Sequence, residues 1–340
     1  MKQKVLIIGP AFFGYNYSIK HAFDALGYKS KVLQYDGLIH PFNWTNAVLN
    51  KISPSNKWLK EKSKRNFNQL ANEAFQTFSP DLVFIYNGDI LTPQTIIQFK
   101  EKSKVAVWLL DGANLHSDSV ALAPFVDAYF CFERTDVESV KEINKHTYFL
   151  PQAYDPNIYY PIAHCKKEID VLFVGNLYRY PERVRLLKSL AKKLKGKCTF
   201  KVYGTYKPIY KNPIKWLFRK ERSIFLNKNI APEEVNILYN QSKLCLNIHH
   251  SQTKEGANPK VFEICGSGAF QIVDYNPFIA STFPEASITT YKSEEECIEQ
   301  ILQIVHTDVS AQAAKAHHTV LEKHTFTTRI SEALEIIGIH

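Results

Sequence analysis

Residues 4–35 read KVLIIGPAFFGYNYSIKHAFDALGYKSKVLQY and contain the signals of a strand, a helix and a second strand. The apolar run Lys4–Gly9 is typical of a short buried strand. Asn16–Gly27 has apolar residues at helical spacing, and Gly27 stands where a glycine ends many helices. Lys31–Tyr35 predicts the second strand. A strand–helix–strand opening indicates a parallel sheet.

The same alternation continues along the rest of the chain in two series. The first predicts strands at 82–86, 105–109, 128–132 and 147–150 and helices at 56–78, 92–102 and 135–143. The second predicts strands at 169–175, 199–203, 244–248 and 270–273, helices at 181–194, 232–240 and 259–265, and further helices over most of 293–337. Strands that alternate with helices predict the α/β class with parallel sheets.

A proline-punctuated segment separates the two series. Pro151, Pro156 and Pro161 lie in LPQAYDPNIYYPIAHCKKE, the best linker in the chain. We therefore predict two Rossmann-like domains, residues 1–155 and 156–340, with the final helix able to pack back on the first domain. Parallel sheets bind ligands at the carboxyl ends of their strands, so the expected site is the cleft between the domains.

Length and composition agree with two packed domains. The chain has 340 residues, of which 45% are hydrophobic and 13% aromatic, which argues against a disordered protein. The apolar run after Met1 is too short for a signal peptide, and no stretch approaches the roughly 20 apolar residues of a membrane span. We expect a cytoplasmic protein, attached at most to the inner face of a membrane.

Cysteine and histidine spacing indicates neither disulfides nor a metal site. No two of the six cysteines form a CxxC pair, and most have apolar neighbours, so buried free thiols are expected. The histidines show no HExxH or similar spacing, and adjacent histidines point in different directions.

The most informative segment for function is KEGANPKVFEICGSGAFQIVD, residues 254–274. Asn258 followed by Pro259 predicts a helix start. Lys260 then lies in the first turn, where a cation opposes the helix dipole, and a bound anion would remove that conflict. Glu263 has apolar neighbours, so its carboxylate requires a dedicated partner such as a sugar hydroxyl. The alternative is a lysine and a glutamate on the solvated face of an amphipathic helix.

The spacing of Glu255 and Glu263 resembles the E-x7-E signature of retaining glycosyltransferases with the two-domain GT-B fold, the glycosyl transferases group 1 type. NPKVFEICGSGAFQIVD is also similar to the spore-maturation (CgeB-like) branch, which often has N-x-R-x-F-E-x-x-A-C-G-A-F. This chain departs from that pattern in having Lys260 for arginine and an inserted Ser267. Lysine keeps the charge of arginine but loses bidentate phosphate recognition.

The resemblance implies roles for four residues. Glu263 is expected to bind the ribose of the donor, Lys260 its diphosphate and Glu255 the donor sugar, with Asn258 as a neighbour. It implies a glycosyltransferase that uses a UDP or GDP type sugar donor and no separate cofactor or metal. A glycan, lipid-linked molecule or protein would be the acceptor, and the expected role is bacterial cell-surface polysaccharide or glycoconjugate synthesis.

A second set of donor-binding candidates lies at the other strand ends of the second series. Gly175 ends a strand, and Pro181 marks a helix start, which places Arg183, or Arg179 as the alternative, near a helix N-terminus that could bind the diphosphate. The same arginines could instead be surface residues. Four further residues end neighbouring strands and are candidates for the same site: Tyr203, Gly204, Asn247 and His249.

The first series offers two candidates. Gly14 lies in the loop after the first strand, where it would permit close backbone approach by a ligand. This loop is neither GxGxxG nor a Walker loop, which disfavours a dehydrogenase and a P-loop ATPase. Asp111 ends the W-x-x-D segment and could bind acceptor hydroxyls or act as a base, or could simply cap a turn.

The net charge of +9 is concentrated in one insertion, YKPIYKNPIKWLFRKERSIFLNK at Tyr206–Lys228. Basic and aromatic residues alternate there, which favours docking on an anionic membrane surface. The alternative is that this segment is a solvated surface insertion with no binding partner. No nucleic-acid partner is expected, because no nucleic-acid-binding module is recognisable and the basic run is local.

Two other functions fit the same features. A non-catalytic nucleotide-sugar-binding or partner-binding module would keep Glu263 without turnover. A sugar-nucleotide epimerase would share the two-domain architecture. The sequence by itself leaves these alternatives open.

Overall fold

The computed structural model describes residues 2–11, 13–35, 57–177, 180–205, 223–250 and 253–339. Arg179 and most of the Tyr206–Lys228 insertion lie outside the described residues, so their predicted roles stay predictions. The chain forms two compact units, the first made of Met1–Gln152 with Phe326–His340 and the second of Ala153–Thr325. The boundary lies three residues before the predicted one, and the final helix belongs to the first unit.

The first unit is built on a six-stranded parallel sheet in the order β2-β1-β3-β4-β5-β6. The strands are β1 (Lys4–Pro10), β2 (Lys29–Tyr35), β3 (Leu82–Tyr86), β4 (Lys104–Trp108), β5 (Ala128–Cys131) and β6 (Thr147–Phe149). The helices are α1 (Tyr15–Ala25), α2 (Lys57–Phe78), α3 (Pro93–Lys100), α4 (Ser117–Val120) and α5 (Arg134–Lys141). The strand order reverses between β1 and β3.

Apolar periodicity explains how these elements pack. β3 is buried at every position, as expected of a strand covered on both faces. Helix α2 buries Phe67, Ala71 and Phe75, spaced by one turn, in the same core as the sheet residues Leu6, Val83 and Val105. Gly27 has φ of 93° just after α1, the left-handed conformation expected of a helix-ending glycine.

The final helix of the chain completes the first unit. Helix α12 (Phe326–Ile337, numbered after the helices of the second unit) packs against α1. The Phe326 ring lies 6.1 Å from that of Tyr15 and 6.0 Å from that of Trp108. Nε of Arg329 donates to the carbonyl of Pro151 at 3.1 Å, so the returning segment is bonded to the end of the first series.

The second unit contains a five-stranded parallel sheet in the order β11-β10-β9-β7-β8. The strands are β7 (Ile169–Val174), β8 (Phe200–Tyr203), β9 (Ser242–Asn247), β10 (Gln271–Asp274) and β11 (Thr289–Tyr291). The helices are α6 (Pro181–Lys193), α7 (Pro232–Asn240), α8 (Pro259–Gly266), α9 (Pro277–Thr282), α10 (Glu294–Ile304) and α11 (Ser310–Lys323). Here the strand order reverses between β7 and β9.

The predicted fold class is confirmed, with three elements added. The sequence analysis did not anticipate α4, α9 and β11, which are only four, six and three residues long and too short to show a clear period. All six cysteines are free, as predicted, although Cys165 and Cys198 are only half-buried. None of the helices in the described part of the chain is long and apolar enough to cross a bilayer.

Candidate functional site

Helix α8 begins at Pro259 as predicted, but Asn258 before it bonds another strand end instead of capping the helix. Asn258 precedes the helix in an extended conformation, and its side chain makes no hydrogen bond to the helix amides. Instead Nδ2 of Asn247 donates to Oδ1 of Asn258 at 3.1 Å, and Nδ2 of Asn258 returns a bond to Oδ1 of Asn247 at 3.2 Å. The start of α8 is therefore fixed to the end of β9, and Asn258 leaves the first helix amides uncapped.

Lys260 and Glu263 lie one turn apart on α8. Nζ of Lys260 is 3.7 Å from Oε2 of Glu263, a loose ion pair, and the lysine side chain is 28% exposed while the glutamate is 1% exposed. The lysine thus occupies a helix N-terminus, whose dipole favours negative charge, next to a buried carboxylate. It keeps enough exposure to reach a ligand there.

Two tyrosines that the sequence analysis missed surround the Glu263 carboxylate. Burial raises the pKa of Tyr159 and of Tyr239 well above the usual value, and the charge of Glu263 raises both further. Tyr159 also forms a hydrogen bond with Glu263. The carboxylate therefore has a protein partner from the proline-rich linker, which no local signal around residue 263 could have shown. Its predicted contact with ribose stays a prediction.

The loop that carries Glu255 is held in place by Asn276. Nδ2 of Asn276 donates to the carbonyl of Gly256 at 2.8 Å, while Oδ1 of Asn276 accepts from the amide of Ile279 and caps α9. Glu255 itself is partly exposed. Asn276-Pro277 repeats the Asn258-Pro259 pattern of a helix start, and this signal could have identified both α9 and the loop clamp.

Arg183 connects the ends of the two strands between which the sheet order reverses. Its Nη1 donates to the carbonyl of Asn176, just after β7, at 2.9 Å. Its Nη2 donates to the carbonyl of Ile248, just after β9, at 2.8 Å. The guanidinium also lies 4.4 Å from the centre of the Tyr180 ring. Arg183 thus fixes the start of α6 to the end of β9, as Asn258 fixes the start of α8.

Replacing Arg183 by Lys should destabilise the protein. An ammonium group cannot reproduce the two-pronged contact to two carbonyls, one exposed and one partly buried, and the lost hydrogen bonding should cost roughly 1–2 kcal/mol. Urea denaturation of Arg183→Lys should show this loss. Arg185→Lys, an exposed position on the same helix, is the matched control and should unfold like wild type. Equal midpoints for both variants would contradict the strand-bridging role.

His249 is held by Asp274, which ends β10. Oδ1 of Asp274 accepts from the backbone amide of His249 at 2.7 Å and lies 3.1 Å from its Nδ1. Burial tends to raise the pKa of Asp274, but the hydrogen bonds and charge of His249 outweigh it and lower that pKa. The imidazole is fully buried. His249 therefore joins β9 to β10 in this structure without reaching the surface.

The glycines after β7 and β8 touch through their backbones. Gly204 has φ of 147°, and a Cβ built there would lie 1.8 Å from the carbonyl oxygen of Gly175. The amide of Gly175 donates to the carbonyl of Tyr203 at 3.0 Å. These three residues form one edge of the strand-end surface, where a ligand could approach backbone atoms without side chains intervening.

In the first unit Gly14 precedes α1 with φ of 74°, and among the described residues other than its chain neighbours no atom lies within 4 Å of the position that a Cβ would take. Asp111 follows β4 and is 55% exposed, and its Oδ2 lies 3.9 Å from Nε2 of His116. On the other side of that imidazole, Nδ1 is 2.8 Å from Oδ2 of Asp89, which follows β3. The sequence analysis missed Asp89 and His116; the segment Asn87-Gly88-Asp89 after a buried strand was the available signal.

Of the predicted donor residues, Arg183, Asn247 and Asn258 come together in the second unit. The side chain of Arg183, in the first turn of α6, and that of Asn258, just before α8, both contact the end of β9. Gly14 and Asp111 lie in the first unit. Within the described part of the chain, no three His, Cys, Asp or Glu side chains are grouped so that they could hold a metal ion.

Comparison with known proteins agrees with this geometry. Residues 182–335, less than half of the chain, match the family described as "Glycosyl transferase-like". No curated protein sequence matches the chain. The CgeB-like subtype suggested by residues 254–274 stays a prediction.

Solved structures similar to the whole chain share its fold at low sequence identity. Sucrose-phosphate synthase from Thermosynechococcus elongatus aligns over 98% of both chains, with 11% identity and a TM-score of 0.69. The UDP-forming alpha,alpha-trehalose-phosphate synthase of Burkholderia vietnamiensis has 10% identity over 99% of this chain and 98% of its own, with a TM-score of 0.67. HepE of Anabaena, solved with UDP and glucose, has 13% identity over 99% of both chains, with a TM-score of 0.62. The fold is GT-B.

Proposed function

We propose that this protein is a glycosyltransferase that binds a nucleoside-diphosphate sugar at the carboxyl ends of β7 and β9. The observation that carries the proposal is that side chains from the N-terminal ends of two helices, Arg183 of α6 and Asn258 before α8, both contact the end of β9. Each helix brings a cation in its first turn, Arg183 and Lys260 respectively. Two helix dipoles and two cations near one strand end suit a diphosphate.

The remaining donor contacts in the proposal follow from the E-x7-E resemblance. Lys260 binds the diphosphate, Glu263 the ribose and Glu255 the sugar, and the transfer proceeds with retention and without a metal. UDP is the first nucleotide to test, because a similar structure contains UDP and glucose. The acceptor binds in the first unit at Asp111. A role in surface polysaccharide synthesis and attachment to an anionic membrane through Tyr206–Lys228 are further parts of the proposal that rest on the sequence.

A thermal-shift panel tests donor binding. Either UDP and its sugars or GDP and its sugars should raise the melting temperature of the protein, because a ligand that binds only the folded state stabilises it. UMP and GMP are matched controls that lack the second phosphate, and they should shift it less. Incubation with the stabilising donor carrying a labelled sugar then distinguishes transfer to an acceptor, release of a free epimer and no turnover. No shift with any diphosphate would overturn the proposal.

Turnover should survive chelation. Arg183, Lys260 and two helix N-termini supply the positive potential that a divalent cation provides in other sites, so EDTA should leave the transfer rate unchanged within about twofold. The same assay with added Mn²⁺ or Mg²⁺ is the control. Loss of activity in EDTA that either metal restores would show that a cation neutralises the diphosphate.

A further inference from the structure

The first unit contains a polar cluster that the donor site does not use. His116 lies between Asp89, after β3, and Asp111, after β4, and its side chain is 16% exposed. Asp89 is 32% exposed and Asp111 is 55% exposed. The cluster therefore runs from a mostly buried imidazole to a carboxylate open to solvent.

Hydrogen bonding assigns a proton to Nδ1 of His116. That nitrogen and Nδ2 of Asn87 lie 2.8 and 2.7 Å from the same Oδ2 of Asp89, so both donate to it, and the two nitrogens are 3.0 Å apart. Burial disfavours the charged ring, but the hydrogen bond to Asp89 and the charges of Asp89 and Asp111 outweigh it and raise the pKa of His116 to about 9, which places a second proton on Nε2. Its Nε2–H consequently remains available as a donor on the side of Asp111 at neutral pH.

The gap between His116 and Asp111 has the dimensions of one hydroxyl group. Nε2 and Oδ2 are 3.9 Å apart, too far for a direct hydrogen bond. An oxygen can lie about 2.8 Å from each atom, accept from Nε2–H and donate to Oδ2. A phosphate or carboxylate is disfavoured by the two aspartates, and an ammonium group cannot accept from Nε2–H. A hydroxyl satisfies both partners.

The backbone around the cluster is fixed by a second set of bonds. Asn87 adopts a left-handed conformation with φ of 75°, and its Oδ1 accepts from the amide of Leu110 at 3.3 Å. The hydroxyl of Ser119 donates to the carbonyl of Asn87. The amide of Gly88 donates to the hydroxyl of Tyr35 at 3.1 Å. Three strand ends therefore hold Asp89 and His116 before any ligand arrives.

We infer that His116 and Asp111 bind the acceptor hydroxyl, with His116 donating through Nε2 and Asp111 accepting the hydroxyl proton. Asp89 is a positioning residue that holds the ring. The inference rests on the proposed function and adds its acceptor chemistry. The hydroxyl oxygen bonds to the anomeric carbon on the same face from which the diphosphate leaves, as retention requires. The bond from that carbon to the diphosphate breaks, the diphosphate leaves with the electron pair, and the hydroxyl proton moves to Oδ2 of Asp111.

Donor hydrolysis tests the pair, because water takes the place of the acceptor hydroxyl. With the nucleotide sugar that stabilises the protein most, sugar release without acceptor should fall about 100-fold in Asp111→Asn and in His116→Gln. Nucleotide affinity should stay at the wild-type value. Asp118→Asn is the matched control, since Asp118 is a nearby exposed aspartate, 66% exposed, that pairs with Lys64. Wild-type hydrolysis rates in Asp111→Asn and His116→Gln would overturn the inference.

The pH dependence gives a second, structural readout. His116 is charged below its pKa, so wild-type hydrolysis should decline as pH rises through about 9, and this limb should move to lower pH in Asp89→Asn. An NMR titration of the His116 imidazole needs no donor, and its signal is assigned by its absence in His116→Gln. It should show a pKa of about 9 in wild type and a lower pKa in Asp89→Asn. If no nucleotide sugar binds the wild-type protein, the proposed function is wrong. The titration still tests whether Asp89 raises the pKa of His116, because it needs no ligand. A His116 pKa near 6.5 that Asp89→Asn leaves unchanged overturns the inference.

Discussion

Lys260→Ala and Glu263→Gln are expected to weaken nucleotide binding by about 10- to 100-fold each. Losing one charge-assisted hydrogen bond costs roughly 1.5–3 kcal/mol, and 1.4 kcal/mol corresponds to a factor of about ten in affinity. Glutamine keeps the shape of Glu263 and still accepts from Tyr159, so the fold should survive. Calorimetric titration of UDP, or of the diphosphate that the thermal-shift panel selects, measures both variants.

The two variants should differ in which part of the ligand they affect. Lys260 is assigned to the diphosphate, so Lys260→Ala should strongly weaken the binding of the nucleoside diphosphate and change the binding of the nucleoside little. Glu263 is assigned to the ribose, which both ligands contain, so Glu263→Gln should weaken the binding of the nucleoside diphosphate and of the nucleoside by a similar factor. Lys192→Ala removes an exposed lysine from the far end of α6 and should change neither. Unchanged diphosphate affinity in both site variants would contradict the donor assignment.

Gly204→Ala should destabilise the second unit by roughly 3 kcal/mol or more. Its φ of 147° is strained for any side chain, and the new Cβ would lie 1.8 Å from the carbonyl oxygen of Gly175. That oxygen belongs to the backbone, so the ends of β7 and β8 must separate, which adds the cost of a core rearrangement to the conformational strain. Urea denaturation measures the change in the free energy of unfolding.

Gly196→Ala is the matched control for this effect. Gly196 also has positive φ, 76°, but within the part of the chain that the structure describes, its chain neighbours aside, no atom lies within 4 Å of the position its Cβ would take. It should therefore lose only the conformational term, roughly 1–2 kcal/mol. Similar losses in the two variants would show that the close approach of Gly204 to Gly175 does not contribute. If Gly204→Ala also binds the nucleoside diphosphate more weakly, the ends of β7 and β8 contribute to the donor site.

Local sequence signals determined most of the secondary structure and part of the site. The apolar strands, the helical spacing in α1 and the Asn-Pro start of α8 each depend on residues within one or two turns of one another. The same local reasoning placed Lys260 in the first turn of α8 and noted the apolar neighbours of Glu263, but left open whether Glu263 lies on a solvated face; the structure shows it buried. The three-residue β11 was too short to show a period, and α9 was missed because only its Asn276-Pro277 start, not its periodicity, marked it in the sequence.

Only the tertiary structure decided which side chains act on one another. The partner of Glu263 is Tyr159 in the linker, Arg183 bridges carbonyls after β7 and β9, and His116 lies between Asp89 and Asp111. Three of these contacts join segments that are distant along the chain and adjacent because of the strand order: Tyr159 with Glu263, Arg183 with the carbonyl after β9, and His116 with Asp89. Periodicity and capping report the conformation of a segment, whereas strand order depends on how all segments share their cores. That is why the sequence located the helix that carries the donor residues but could not locate the imidazole that we assign to the acceptor.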